Sequence, residues 1–132
     1  MGLDVRVIYG DTDQMGVVYY ANYLRYFEAS RGNYLRERGR SYREFERHGV
    51  LLPVVEAHVR YHSSARYEDL LHIEPRITSV RGATLRFDYL VTRSGELLAE
   101  GYTVHACIAQ ATGKPTRFPD DIRALLQEQG SI

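Results

Sequence analysis

The chain has a single cysteine, few prolines and no surplus of either charge, with 17 Lys and Arg against 17 Asp and Glu in 132 residues. A lone Cys107 excludes an intramolecular disulfide framework, and its apolar, strand-like setting reads as a buried structural thiol in a reducing compartment. Balanced charge removes the global basic field that nucleic-acid binding uses, so no nucleic-acid partner is expected. No apolar run reaches membrane-spanning length, and no membrane insertion is expected. The first residues, Met1-Gly2-Leu3-Asp4-Val5-Arg6, carry neither the apolar stretch of a signal peptide nor the Ser or Thr of a myristoylation pattern. These absences point to a soluble, cytoplasmic protein. There is also no Walker loop or dinucleotide fingerprint. His58 and His62 lie four residues apart on one strand face, but no Cys or carboxylate completes a ligand set, so exposed strand histidines are the preferred reading. Neither a metal nor a cofactor is expected.

What is present suits one domain over residues 1–132, with no repeat, linker or low-complexity segment. Leu3, Val5, Val7 and Tyr9 alternate with Asp4 and Arg6, the pattern of a half-buried strand. From about Tyr20 to Arg38 the period becomes helical, with Tyr20, Tyr23, Leu24, Phe27, Tyr34 and Leu35 on the expected core face and Gly39 placed to stop the helix. Ser41-Tyr42-Arg43-Glu44 has the form of a capping box for a short second helix. Four alternating runs follow. Val55, Ala57, Val59 and Tyr61 share one face; Leu71, Ile73 and Ile77 make a second run ending near Gly82; Leu85, Phe87, Tyr89 and Val91 make a third, closed by a Ser94-Gly95 hairpin turn. The fourth runs from about Leu97 to Ala109, with Tyr102, Val104, Ala106 and Ile108 on a face, and Pro119-Asp120-Asp121 opens a last short helix. Strand, helix and then four hairpin-linked strands define an α+β fold with a mostly antiparallel sheet.

The most informative stretch is Tyr9-Gly10-Asp11-Thr12-Asp13-Gln14-Met15-Gly16-Val17-Val18-Tyr19-Tyr20-Ala21-Asn22-Tyr23. It delivers a carboxylate and a glycine turn into a helix start, where backbone N–H groups at about Val18 to Asn22 lack helical partners and favour negative charge. An acid at Asp13 beside such donors can attack a carbonyl, or activate water against it, while the donors stabilise the developing oxyanion. The same letters also read as an ordinary Asp-rich turn. The full string decides between them. Together with Tyr23-Leu24-Arg25-Tyr26-Phe27-Glu28-Ala29-Ser30-Arg31 and Ser64-Ala65-Arg66-Tyr67-Glu68-Asp69-Leu70-Leu71, it resembles the signature of the 4-hydroxybenzoyl-CoA thioesterase group of the hot-dog fold. Within that group it is most similar to the Tol-Pal-associated (YbgC-like) acyl-CoA thioesterases.

The resemblance implies a five-stranded, mostly antiparallel sheet wrapped around one long helix, and dimers joined edge to edge, often doubled to tetramers, with active sites at the subunit boundary. It also implies an acyl-CoA substrate. By motif register Asp13 takes the catalytic position as nucleophile or general base, Asp11 the part of a turn or capping group, and the backbone N–H of Tyr20 that of the donor to the thioester oxygen. Tol-Pal-type sequences usually have His at this last position, so Tyr20 is a departure that bears on acyl specificity rather than on the main-chain donor. Gly16 supplies either a positive φ or a close approach to substrate, and Asn22 orients the helix start or is simply structural. Tyr19, Tyr20, Tyr23 and Tyr26 either line an aromatic acyl pocket or pack the helix. Arg66, Lys114 and Arg117 are candidates for the coenzyme A phosphates, against the plainer reading of solvated surface cations. An acyl carrier protein thioester is an alternative substrate, and a non-catalytic acyl-thioester binding or scaffold protein is the alternative from another class. The His-containing motif of hot-dog dehydratases is missing around Val17-Val18.

Overall fold

Alternating strands separated by short turns pair most simply as antiparallel neighbours, and the computed structural model, which describes residues 2–130, shows that arrangement. Along the chain come β1 (Leu3–Arg6), a single 3-10 turn (Tyr9–Asp11), α1 (Asn22–Glu37), α2 (Tyr42–Arg47), β2 (Val50–Leu51), β3 (Val54–Tyr61), β4 (Leu70–Arg81), β5 (Thr84–Arg93), β6 (Glu96–Ala106), β7 (Ile108–Ala109) and α3 (Asp120–Gly130). Five strands form one antiparallel sheet in the order β1-β4-β5-β6-β3, and β2 pairs with β7 in a small second sheet. With α1 packed on this sheet, the fold is the α+β hot-dog arrangement.

The helix buries Tyr23, Tyr26, Phe27, Ser30, Arg31, Tyr34 and Leu35, a stripe at i, i+3, i+4, i+7, i+8, i+11 and i+12. Two residues expected on that face are not there. Tyr20 precedes the first helical turn and Leu24 sits one residue off the stripe, leaving them 61% and 40% exposed. Tyr26 and the charged Arg31 occupy the face instead. Phe27 stacks on Tyr89 of β5 at 4.1 Å and meets the sheet where Gly101 leaves room, since a Cβ there would lie 3.0 Å from the Phe27 ring. The helix stops as expected at Gly39 (φ +74), whose N–H and that of Arg40 return to the carbonyls of Arg36 and Leu35. The capping box at Ser41 does not form: its side chain makes no cap bond, and Glu44 takes Arg47 instead.

Ser94 and Gly95 both have positive φ, 49° and 83°, the conformation of a two-residue hairpin turn. In β6 the buried face is the one opposite to that expected. Leu98, Thr103, His105 and then Cys107 face the core, whereas Tyr102 lies on the other face with His58 stacked on it and the Arg86 guanidinium over its ring. The polar pair can be buried because each finds a partner: Tyr89 to Thr103, Thr103 to His105, and His105 to the Leu52 carbonyl. Strand pairing also ends at Ala106 rather than Ala109, because Ile108–Ala109 turns away to pair with β2. Finally, β3 forms an edge whose predicted apolar face stays largely open, with Val55 and Tyr61 at 61% and 45% exposed, Ala57 also exposed and only Val59 packed partly on the core, and with a register break between Val54 and Glu56.

Candidate active site

The segment between β1 and α1 folds into a tight loop on the end of the sheet. Thr12 pairs with Val18 and Val17 with Arg66, while the N–H of Val18 donates to the Ala65 carbonyl at 2.8 Å. The turn at its tip needs Gly16, which has φ +80, and a side chain there would be strained although the space around it is open. Asp13 begins this turn. Its Oδ1 accepts the Met15 N–H at 2.9 Å, an Asx-type bond that sets the carboxylate's direction, and its Oδ2 has no partner among the described residues. Asp13 lines a cleft of about 320 Å³ together with Val18, Tyr20, Tyr23, Tyr61 and Ser64.

Asp11 has a different place. It is buried, and its Oδ2 accepts the Tyr26 hydroxyl at 2.9 Å and the Ile8 N–H at 3.2 Å, with Arg25 at 3.7 Å from Oδ1. Burial first, and this bond second, push the Tyr26 hydroxyl well above the ordinary phenol value, so it stays a donor. The Asp11 backbone carbonyl accepts both the Tyr19 N–H and the Asn22 Nδ2–H at 2.9 Å. Asn22 therefore ties the helix start to the loop.

These bonds decide which helix-start N–H groups remain available. Val18 donates to Ala65, Tyr19 to Asp11, Asn22 to Tyr19, Tyr23 to Tyr20 and Leu24 to Ala21. The N–H groups of Tyr20 and Ala21 are left without an acceptor among the described residues. Because a trans peptide points its N–H opposite to its C=O, the bond from Asn22 N–H to the Tyr19 carbonyl fixes the direction of the Tyr20 N–H. Asp13 and Tyr20, the latter carrying one of the available main-chain N–H groups, thus line one cleft.

Of the other candidate residues, Tyr23 is buried, and burial raises its hydroxyl above the ordinary phenol value; Tyr19 lies beside Tyr20 with ring centroids 4.6 Å apart. Arg66 flanks the loop through its pairing with Val17. Its segment is held by Asp69, whose Oδ2 accepts the Arg66 N–H and Arg93 Nη1, both at 2.8 Å. Burial works to raise the Asp69 carboxyl, but these bonds outweigh it and hold it below its ordinary value. Lys114 and Arg117 are not brought to Asp13. They follow β7, beyond the far end of β6, about nine strand residues (~30 Å) from the Leu98 carbonyl that anchors His62 near the cleft. His62 engages Glu100 at 2.7 Å and His58 stacks on Tyr102, so the two rings have separate partners. Tyr61, absent from the sequence-derived candidates, lines the cleft and donates to the Tyr20 carbonyl at 2.8 Å from 41 residues away.

The five-stranded sheet with its packed helix, and a cleft lined by Asp13 and Tyr20, define the class of fold, and comparison with known proteins narrows it. The family model of the thioesterase-like superfamily matches residues 7–126. The chain belongs to that superfamily. It is 36% identical over 121 residues to the acyl-CoA thioesterase YbgC of Haemophilus influenzae, covering 91% of this chain and 89% of that protein. The fold superposes with a TM-score of 0.91 on a hypothetical protein from Thermus thermophilus at 36% identity, covering 97% of this chain and 98% of that one. A DHNA-CoA thioesterase from Staphylococcus aureus superposes with a TM-score of 0.90 at 28% identity, covering 96% and 88%.

Proposed function

We propose that the protein hydrolyses an acyl-CoA to a carboxylic acid and free coenzyme A without a metal or cofactor. The observation that carries this reading is Asp13, with one carboxylate oxygen unengaged among the described residues, lining the same cleft as Tyr20. The Tyr20 N–H donates to the thioester oxygen and stabilises the charge that develops on it, and Asp13 either attacks the carbonyl carbon or takes a proton from the attacking water. In both routes the C–S bond breaks, the sulfur leaves as thiolate and gains a proton, and water supplies the acid's second oxygen. The similarity to an acyl-CoA thioesterase and to a DHNA-CoA thioesterase supports this substrate class. Tyr19, Tyr20 and Tyr23 border the acyl end, Gly16 keeps the turn that presents Asp13, and the Asn22 backbone N–H holds the donor peptide through the Tyr19 carbonyl.

Coenzyme A phosphates then lie toward Arg66, with Lys114 and Arg117 supplied by a second copy of the chain, since one chain keeps them remote. The open β3 edge with its exposed Val54 and Val55 supports a homodimer, doubled to a tetramer. Sedimentation at micromolar concentration is expected to give twice or four times the chain mass; a species of single-chain mass alone would sink the shared site. No helix among the described residues is long and apolar enough to cross a membrane. A buried free thiol at Cys107 and an acyl-CoA substrate both suit the cytoplasm.

The direct test is thiol release from a panel of short-chain, long-chain and aromatic acyl-CoAs, with and without prior exhaustive chelation. Release of coenzyme A from at least one member, unchanged by chelation, is the expected result. Binding without release from every member would instead make the protein an acyl-thioester binding module, and faster release of the same acyl group from acyl carrier protein would move the substrate to that carrier.

A further inference from the structure

Tyr61 joins the sheet to the helix start at one atom. It is the last residue of β3, and the strand end is anchored there because the N–H groups of His62 and Ser63 both donate to the Leu98 carbonyl, at 2.8 and 3.1 Å. Its ring lies edge-on to the buried Tyr23 at 5.1 Å, and its hydroxyl donates to the Tyr20 carbonyl at 2.8 Å. Among the described residues the one other bond to that carbonyl comes from the Tyr23 N–H at 3.3 Å, a long contact in the first, fraying turn of the helix. The carbonyl belongs to the Tyr20–Ala21 peptide, whose N–H is the second of the two helix-start donors without an acceptor among the described residues.

We propose that Tyr61 is a positioning residue for thioester hydrolysis: its hydroxyl holds the Tyr20–Ala21 peptide so that the Tyr20 and Ala21 N–H groups stay aimed together at the thioester oxygen. The proposal rests on the reading of the Tyr20 N–H as the oxyanion donor. Planarity carries the argument, since fixing a C=O fixes the N–H of the same peptide. Asn22 fixes the Tyr19–Tyr20 plane through the Tyr19 carbonyl, and Tyr61 does the same for the next plane through the Tyr20 carbonyl. Two consecutive N–H groups at a helix start then form a preorganised pair, which needs no reorganisation when charge develops. A phenol suits this task because the ring's packing on Tyr23 sets the hydroxyl's position. Burial and the neighbouring Tyr20 raise the Tyr61 hydroxyl above its ordinary value, so it remains a donor through the neutral range.

Tyr61→Phe removes the hydroxyl and keeps the ring. The expected result is a fall in kcat of ~10- to 100-fold with KM within about twofold and an unchanged Tm, because only the transition-state oxygen loses alignment. The accompanying spectroscopic readout is the infrared carbonyl stretch of a bound non-hydrolysable ketone analogue of acyl-CoA, which aligned N–H donors shift to lower frequency. Wild type should show the shift and Tyr61→Phe a smaller one. An equal shift and equal kcat in the two proteins overturn the role of Tyr61 alone. A fall in kcat that tracks a lowered Tm or a raised KM overturns it in favour of general support of the fold. No shift in wild type removes the helix-start donor itself, and with it both readings.

Discussion

Asp13→Asn is expected to lower kcat by ~10²- to 10⁴-fold, the range for losing a positioned acid–base or nucleophilic group, with KM and Tm changing far less. The size of the effect follows from what Asn keeps and what it loses. Its carbonyl oxygen can still accept the Met15 N–H, so the turn that ends at Gly16 is preserved. The charge that both the nucleophilic and the general-base route require is gone. Asp11→Asn supplies the contrast within the same motif. Its carboxylate is engaged with Tyr26 and Ile8, and the contact to Tyr19 and Asn22 is made by its backbone carbonyl, which any residue retains. That substitution should cost stability, ~1–2 kcal/mol, and leave most of the hydrolysis in place. Steady-state thiol release and thermal unfolding of both variants decide the matter. Near-normal hydrolysis by Asp13→Asn together with its loss in Asp11→Asn would reverse the assignment.

The second large effect concerns stability against pH and comes from the buried chain of polar groups behind α1. Leu52 offers a carbonyl, so His105 must carry its proton on Nδ1 and accept the Thr103 hydroxyl at Nε2; Thr103 in turn accepts from Tyr89, and Tyr89 from Arg31 Nη1 at 3.4 Å. Arg31 Nε also donates to the Tyr42 hydroxyl of α2 at 2.8 Å. Every hydrogen in this series points one way. Protonating His105 at Nε2 would turn Thr103 around and leave the Tyr89 hydroxyl facing a second donor, beside a buried cation. Burial first, then the nearby Arg31, accordingly lower His105 from 6.5 to about 4, against the opposing bond to Leu52.

The unfolded chain therefore takes up this proton near pH 6.5 and the folded chain only near 4, so stability from this group is complete above about pH 7 and falls as the solution is acidified. The loss amounts to ~2 kcal/mol by pH 5 and ~3 kcal/mol by pH 4, at 1.36 kcal/mol per pKa unit. His72, which Asp4 and Glu74 hold above its ordinary value, has the opposite sign: its stabilising contribution is present at acid pH and fades as pH rises through its folded value. Denaturant unfolding at pH 7.5 and pH 5 in wild type and His105→Gln separates the two, because the variant should lose the acid-dependent decline that His105 supplies. Identical slopes would mean that His105 does not govern it.

Much of this architecture is legible in the chain itself because it depends on neighbours in sequence. The 3.6-residue stripe from Tyr23 to Leu35, the glycine stop at Gly39, the two positive-φ residues at Ser94 and Gly95 and the Gly16 turn that presents Asp13 are all set within a few residues. The motif also brings the residues Asp13 and Tyr20 to the lining of one cleft. Periodicity fails where a distant partner changes which groups can be buried. Thr103 and His105 look like the solvent face of β6 until Tyr89, on a different strand, and Leu52, before β3, satisfy them. Arg31 looks too charged for the core face of α1 until two phenol oxygens, from α2 and β5, accept its hydrogen bonds.

The sequence by itself determined the order of the helices and of the five main strands, though not the short β2 and β7, together with the turn that carries Asp13 and the helix that follows it, since local backbone preference and alternation act over short separations. Only the tertiary structure decided that Asp11 is a buried anchor, that Tyr20 and Ala21 keep the available N–H groups among the described residues, and that Tyr61 reaches the Tyr20 carbonyl from 41 residues away. Those outcomes depend on which hydrogen bonds compete successfully for each donor, and that competition is settled only when segments remote in sequence are packed against one another.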